Sequence, residues 1–264
     1  MTLDVRQVAI SRGTPLIALP LLTFVAYTPA FAQDTQTSKP EPRASYGVEL
    51  AFRSGHADRG FIINDRPVVQ PVVWVTRKGV EFSVWGNLPL AETTDGTRPQ
   101  IEELELAREY KWKSLSIAPA VTMYFYHDAL NTENERSMSG WLRLSYDVGP
   151  FRLFTHQSLD VLTYRGAYYG EAGLASEGHA SDWLELGGSL GAGWASARFN
   201  DAYAEVARAG LDRVSAQAWL TVHVTPHYYV TPDFEFSTIV NPRVRAALTR
   251  PTFFFLRLST GVEF

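Results

Sequence analysis

From Ser45 to Phe264 the chain is a succession of segments, each about ten residues long, in which apolar and polar residues alternate. Turn-forming or polar stretches separate them. A period of two sends successive side chains to opposite faces of a strand, so every segment reads as a strand with two different surfaces. The sequence predicts twelve, over 45–53, 68–77, 80–88, 101–110, 112–126, 138–148, 151–162, 168–177, 183–195, 213–224, 228–238 and 252–264. In the tenth, Val214, Ala216, Ala218, Leu220, Val222 and Val224 share one face, while Arg213, Ser215, Gln217, Trp219, Thr221 and His223 share the other. Alternation alone fits two architectures. A soluble sandwich turns its polar faces to water, whereas a membrane barrel turns its apolar faces to lipid.

Three further features select an all-β, transmembrane, antiparallel up-and-down β-barrel of about twelve strands. The first is the N-terminus, where Arg6 and Arg12 precede an apolar run from Pro15 to Val25 and the small-residue tripeptide Ala30-Phe31-Ala32. That order is a secretory signal peptide over 1–32, cleaved before Gln33. The run is too short for a spanning helix, which needs roughly 20 apolar residues. Residues 33–44, with Pro40 and Pro42, then form a flexible periplasmic lead-in to a barrel over 45–264. The second feature is an even strand count with connections of alternating length. Those at 77–79, 148–150 and 225–227 are tight, and those at 54–67, 89–100, 127–137, 196–212 and 239–251 are long. The third is the last strand, where Phe254, Leu256, Leu258, Thr260, Val262 and the terminal Phe264 share one face, opposite Arg257, Ser259, Gly261 and Glu263. A terminal aromatic after alternating apolar residues resembles the mark by which barrel-assembly machinery recognises its clients. Leu256, Leu258, Val262 and Phe264 are assigned to that signal.

Composition removes other classes. With no cysteine there is neither a disulfide framework nor a thiolate metal site. A net charge of −4 argues against a nucleic-acid partner. No phosphate-binding loop, nucleotide fingerprint or paired His–Glu metal motif occurs, so neither a cofactor nor a metal is expected. Beyond the signal peptide no apolar run is long enough for a helical bundle in the inner membrane. The expected partners are outer-membrane lipids with lipopolysaccharide, the assembly machinery, and small polar solutes. Tyr46, Phe52, Tyr110, Trp112, Tyr146, Phe151, Trp194 and Tyr229, near strand ends, are assigned to the interfacial aromatic girdles.

The stretches RGFIINDRPVVQPVVWVTRKGVEFSVWGNLPL from Arg59, GAYYGEAGL from Gly166, SARFNDAY from Ser196 and PDFEFSTIV from Pro232 carry a resemblance. In their order, across nearly the whole chain after the leader, it is similar to a group of Gram-negative outer-membrane β-barrel proteins. The resemblance implies a signal peptide and a barrel. It brings no ligand, activity or catalytic residue with it.

With the polar face inward, the lumen acquires Glu49, Glu81, Glu103, Glu105, Asp147 and Asp160, then Glu171, Glu185, Asp233, Glu235 and Glu263. Facing them are Arg53, Arg143, Arg152, Arg213 and Arg257, with His156 and His223. Carboxylates outnumber guanidinium groups, and an acidic lining selects for positive charge. This predicts a narrow passive channel for small polar or cationic solutes. Two readings compete with it: a plugged barrel whose interior charges pair into a network, and a barrel whose function lies in loops that bind a partner, 54–67 and 196–212 above all.

An enzyme is not expected. His156 and Ser158 do share one strand face two residues apart, within reach for base and nucleophile. Outer-membrane phospholipase A and the lipid A deacylase use such a His-x-Ser pair, yet they carry Asn after the Ser and turn the pair to lipid. Here Leu159 follows and the register points inward, so a structural pair is expected. In 196–212, Phe199, Tyr203, Val206 and Leu211 have helical spacing behind an Asn200 cap, which predicts a short surface helix over the mouth. Arg243, Arg245 and Arg250 offer charge-assisted contacts to lipopolysaccharide phosphates. Gly187, Gly188, Gly191 and Gly193, in one strand, are expected to permit close packing or curvature of the wall.

Overall fold

The computed structural model describes residues 44–128 and 134–264. The predicted signal peptide, the lead-in as far as residue 43 and the centre of the 127–137 loop lie outside the described residues. Twelve strands form the wall: β1 (Ser45–Arg53), β2 (Val68–Arg77), β3 (Val80–Pro89), β4 (Pro99–Arg108), β5 (Leu115–Asp128), β6 (Asn134–Val148), β7 (Phe151–Asp160), β8 (Tyr168–Ser181), β9 (Leu184–Ala195), β10 (Gly210–His223), β11 (Tyr228–Ile239) and β12 (Thr252–Glu263). β4 breaks at Glu109 and resumes as Tyr110–Trp112, which folds back on Leu115–Ile117 in a tight hairpin. Each strand pairs antiparallel with its chain neighbours. β1 then closes on β12 with Gly47 opposite Glu263 and Arg53 opposite Arg257. Closure pairs the backbone groups that an open edge would leave bare, a requirement in hydrocarbon.

The two faces separate as the alternation requires. Val48, Leu50, Phe52, Val73, Phe82, Leu106, Val121, Leu153, Phe236, Leu256 and Leu258 are exposed outward, while Gln70, Glu81, Thr122, Ser139, Ser189, Gln217, Asp233, Glu235 and Ser259 are buried. A soluble sandwich would show the reverse. The short turns Lys78-Gly79, Gly149-Pro150 and Asp182-Trp183 lie at the same end as the chain terminus, where Phe264 exchanges backbone hydrogen bonds with Tyr46. By the asymmetry of outer-membrane barrels that end is periplasmic, and the long connections are extracellular.

One aromatic assignment is corrected. Tyr229 sits on the inward face of β11, where its hydroxyl donates to Glu49 Oε2 at 2.9 Å, so the exposed Tyr228 holds the girdle position. At the far end of the membrane Trp194 faces outward and donates to Tyr168 Oη at 3.1 Å, an aromatic pair with its polar tips in the interface.

The glycines of β9 make room inside the lumen. A Cβ at Gly187 would lie 2.0 Å from the Trp219 ring, and one at Gly193 would lie 2.3 Å from the Tyr169 hydroxyl. Large side chains from neighbouring strands therefore lie flat across this part of the wall.

The core sits within the extracellular mouth. It comprises Phe61, Ala167, Tyr169, Ala195, Phe199, Ile239 and Val244. Phe61 comes from a small hairpin, His56–Asp58 paired with Phe61–Asn64, inside the 54–67 connection. Phe199 comes from helix α1 (Ala197–Ala204) and Val244 from helix α2 (Pro242–Ala247). The predicted helix exists with a different cap: Ser196 Oγ accepts from the Phe199 amide. Asn200 is instead a buried residue of the helix whose side-chain amide donates to the Arg208 carbonyl at 2.7 Å. The helix lies over the mouth, with Arg198, Asp201 and Ala202 exposed and its other face packed inward. Phe199 is 1% exposed, whereas Leu211, counted with it by spacing, is exposed on β10. α2, capped by Asn241 with Pro242 at its first turn, escapes a periodicity search because six residues hold under two turns.

Candidate functional site: the lumen and its mouth

Alternation on the wall strands fixes which residues look inward, and closure decides which of them meet. β1 and β12 pair to seal the barrel, β11 flanks β12, and β8 lies two strands beyond β10. These strands bring three arginines to one side of the lumen. Arg257 pairs with Glu49 and with Asp233 at 3.2 Å. Arg53 pairs with Glu235. Arg213 reaches Glu171 at 3.3 Å and Glu235 at 3.6 Å, and its Nε donates to Ser237 Oγ at 3.0 Å. The result is a ladder across five strands. On the other side Arg143 makes a two-pronged contact with Glu105, Nη1 donating to Oε1 at 2.7 Å, and Thr122 donates to the same carboxylate at 2.8 Å. Forked pairs of this kind hold both charge and geometry.

The remaining inward carboxylates have other partners. Glu81 accepts from Thr76 at 3.1 Å. Glu185 lies 3.8 Å from both His179 and His223. Asp147 and Arg152 pair at 2.8 Å beside the Gly149-Pro150 turn, at the rim of the lumen. Asp160 ties down the 161–167 connection, accepting the amides of Leu162 at 2.9 Å and Tyr164 at 3.0 Å, along with the Ser137 hydroxyl. Glu103 stands opposite Tyr124 in the β4–β5 register, and Glu263 closes β12 at the periplasmic rim. Among the described residues, Glu81, Glu103, Glu185 and Glu263 have no arginine at ion-pair distance.

His156 and Ser158 both face inward and do not engage each other. Ser158 is buried with its hydroxyl 3.4 Å from the Tyr169 carbonyl on β8, and the imidazole packs on Phe154 at 5.1 Å. That arrangement gives Ser158 no base.

The mouth holds residues that sequence reasoning missed. The connection 54–67, expected to be a surface loop, folds across the opening, and its two flanks differ in chemistry. On the β2–β3 side lies an amide chain. Gln70 Nε2 donates to Asn87 Oδ1 at 3.0 Å and lies 3.2 Å from His56 Nδ1, Asn87 donates to Asn64 at 2.6 Å, and Asn64 donates to the Pro99 carbonyl at 3.1 Å. Burial, reinforced by the Arg53 charge, pushes His56 down to about 3. A neutral ring can accept the Gln70 amide, and a protonated one cannot.

On the opposite flank the hairpin tip delivers Arg59. Its guanidinium carbon lies 5.0 Å from the centre of the Trp141 ring, 5.5 Å from Phe199, 5.9 Å from Tyr124 and 6.0 Å from Tyr169. Asp58 is 3.5 Å away and itself accepts the Tyr203 hydroxyl at 3.0 Å. Burial opposes the Arg59 charge, yet Asp58 and the surrounding tyrosines hold its pKa above the ordinary value. The space left beside it is about 10 Å³, room for no more than one water. The sequence signal was a run of three apolar residues, Phe61, Ile62 and Ile63, behind an Arg-Gly turn in a stretch read as loop.

Two of the three arginines of the last long connection are engaged within the chain. Arg250 pairs with Asp65 at 2.9 Å, and Arg245 donates to Thr238 and to the Ile239 carbonyl, both at 2.8 Å. Among the described residues no group of His, Cys, Asp and Glu is arranged to hold a metal.

No family model matches the sequence, and no curated protein matches it. Solved structures do. The COG4313 outer membrane channel from Pseudomonas putida F1 superposes with a TM-score of 0.51 at 12% identity, covering 84% of this chain and 95% of that one. The NanC porin aligns over 83% of this chain and 98% of its own at 14% identity and a TM-score of 0.49. The KdgM porin gives 9% identity over the same shares and a TM-score of 0.47. At 12% identity the likeness to the COG4313 channel speaks to the fold alone, a closed outer-membrane β-barrel.

Proposed function

We propose that this barrel is a passive outer-membrane channel for small polar solutes, cations ahead of anions, with a lumen narrowed at its extracellular mouth by the 54–67 hairpin. The inward charge balance carries the reading. The wall arginines are paired to carboxylates, while Glu81, Glu185 and Glu263 remain without an arginine and leave the lining acidic. A low-dielectric wall concentrates that field along the axis and favours positive charge. A chain with this role would lose its leader after Ala32, present Leu256, Leu258, Val262 and Phe264 to the assembly machinery, and meet lipid and lipopolysaccharide on its outer face.

Purified protein in planar bilayers is expected to give discrete conductance steps with a reversal potential displaced toward the cation in a salt gradient. Bilayers that stay silent at several pH values would favour the second reading, a plugged structural or loop-binding barrel. That reading has its own observation: the hairpin and α1 pack tightly enough in the mouth to leave almost no free volume beside Arg59.

A further inference from the structure

Arg59 is an unusual residue to bury. A guanidinium carries five donors. Here the side chain is 11% exposed, Nη2 donates to Tyr124 Oη at 3.2 Å, and buried Nε has no hydrogen-bond partner among the described residues. What holds the cation is four ring faces and one carboxylate, and both the carboxylate and the cation ride on the hairpin. The wall's own contribution is a set of aromatic faces: Tyr124 on β5, Trp141 on β6 and Tyr169 on β8, closed by Phe199 of α1. Trp141 Nε1 donates to Tyr124 Oη at 3.2 Å, which fixes the two rings relative to each other without help from Arg59. Asp160, beside Arg59 in the same small cavity, adds a carboxylate that stays with the wall. Rings around a cation with carboxylates nearby are the recipe for recognising organic cations.

The hairpin carrying Arg59 is joined to the wall differently from the strands. Its two short strands pair only with each other and not with the twelve-stranded sheet. Its tip turns through left-handed backbone at Arg59 (φ 50) and Gly60 (φ 97). Among the described residues no backbone ladder joins it to the wall, and its anchors are side chains, Phe61 in the core and Asn64 in the amide chain, so its tip can move without breaking a ladder.

We propose that the Tyr124–Trp141–Tyr169–Phe199 cage is a binding site for solutes bearing a guanidinium or similar organic cation, and that Arg59 occupies it as an internal competitor. A solute cation entering from outside displaces Arg59, frees the hairpin tip and widens the mouth, which couples recognition to passage. The place of the site on a solute path rests on the channel reading. The site itself does not.

Calorimetric titration of the folded, detergent-purified protein separates the two. L-arginine and its neutral isostere L-citrulline are the probes. With the competitor removed in Arg59→Ala, arginine should bind about tenfold tighter or better than to wild type, because a site occupied by its own chain binds weakly in proportion to the free fraction. Citrulline should gain nothing. Arg59→Lys, which keeps a cation at the tip, should fall between. Adding Trp141→Leu to Arg59→Ala should return arginine to the wild-type level, with heat-modifiable gel mobility reporting that the barrel is intact. An Arg59→Ala protein that binds arginine no better than wild type, or gains equally for citrulline, overturns the site. Bilayer conductance of the same proteins is a separate readout: silence in all of them, with tighter arginine binding in Arg59→Ala, keeps the site and removes the channel.

Discussion

The two faces of β12 answer to different partners. Outside, Phe254, Leu256 and Leu258 stand half-exposed to lipid, with Leu258 at 53% exposure, and touch little that a different apolar residue could not touch. Inside, Arg257 is fixed by two carboxylates and the adjacent Ser259 is 1% exposed. Lipid asks only that a side chain be apolar, whereas the lumen asks for a particular group at a particular place. The outer face should therefore tolerate substitution within a chemical class and fail across classes. The inner face should fail wherever one member of a charged set is removed.

The largest effect should come from the ladder. Arg213→Met leaves Glu171 and Glu235 facing each other with one cation fewer, and removing one partner of a buried pair costs roughly 3–5 kcal/mol. Urea unfolding from lipid vesicles would show it as a lowered midpoint with an unchanged slope. If that midpoint stays put, water in the lumen screens the ladder and the inner face tolerates substitution as the outer face does.

Next is Leu258→Arg, which places a cation on the lipid face near the middle of β12. The cost there is roughly 2–4 kcal/mol. The same assay should register it, and Leu258→Phe should leave the midpoint within about 0.5 kcal/mol as an apolar exchange on an exposed face. An arginine tolerated as well as a phenylalanine would mean that β12 does not face hydrocarbon.

Removal of Phe264 should act on assembly more than on equilibrium stability. Its ring stacks on Tyr46 at 5.6 Å and on His227 at 5.2 Å, contacts worth about 1 kcal/mol each at most. Pulse-chase with externally added protease should nonetheless reveal slowed insertion if the terminal aromatic is the recognition mark. Smallest of all should be Glu263→Gln at the inner periplasmic rim, where no arginine depends on the carboxylate. A block to insertion by Glu263→Gln with none from Leu258→Arg would reverse inside and outside.

The strand positions were legible because a wall between lipid and an aqueous or polar interior imposes its period on every segment. Observed and predicted spans differ by a few residues at most, at both ends of the barrel: β6 and β10 run further outward than the alternation showed, and β8 runs further toward the periplasmic turns. The lumen set was legible as a list of inward residues, but not as contacts. Arg53 and Glu235 lie far apart in sequence, and nothing along the chain says that closure makes them partners. Tyr229 was misassigned because two adjacent tyrosines at a strand end leave the face open until the register is known.

What the sequence by itself determined is the class of fold, the number of strands and the division of each strand into an apolar and a polar face. All of these follow from a local period of two and from turn chemistry, which act between residues a few positions apart. Only the tertiary structure decided that the 54–67 connection folds inward, that α1 buries Phe199 rather than presenting it, and that Arg59 ends among rings from β5, β6, β8 and α1. Those elements lie in connections where no lipid boundary enforces a pattern. Their conformation is set by contacts between residues separated by tens to more than a hundred positions, such as Tyr203 with Asp58, and such contacts exist only once the barrel has closed and brought its loops together over one mouth.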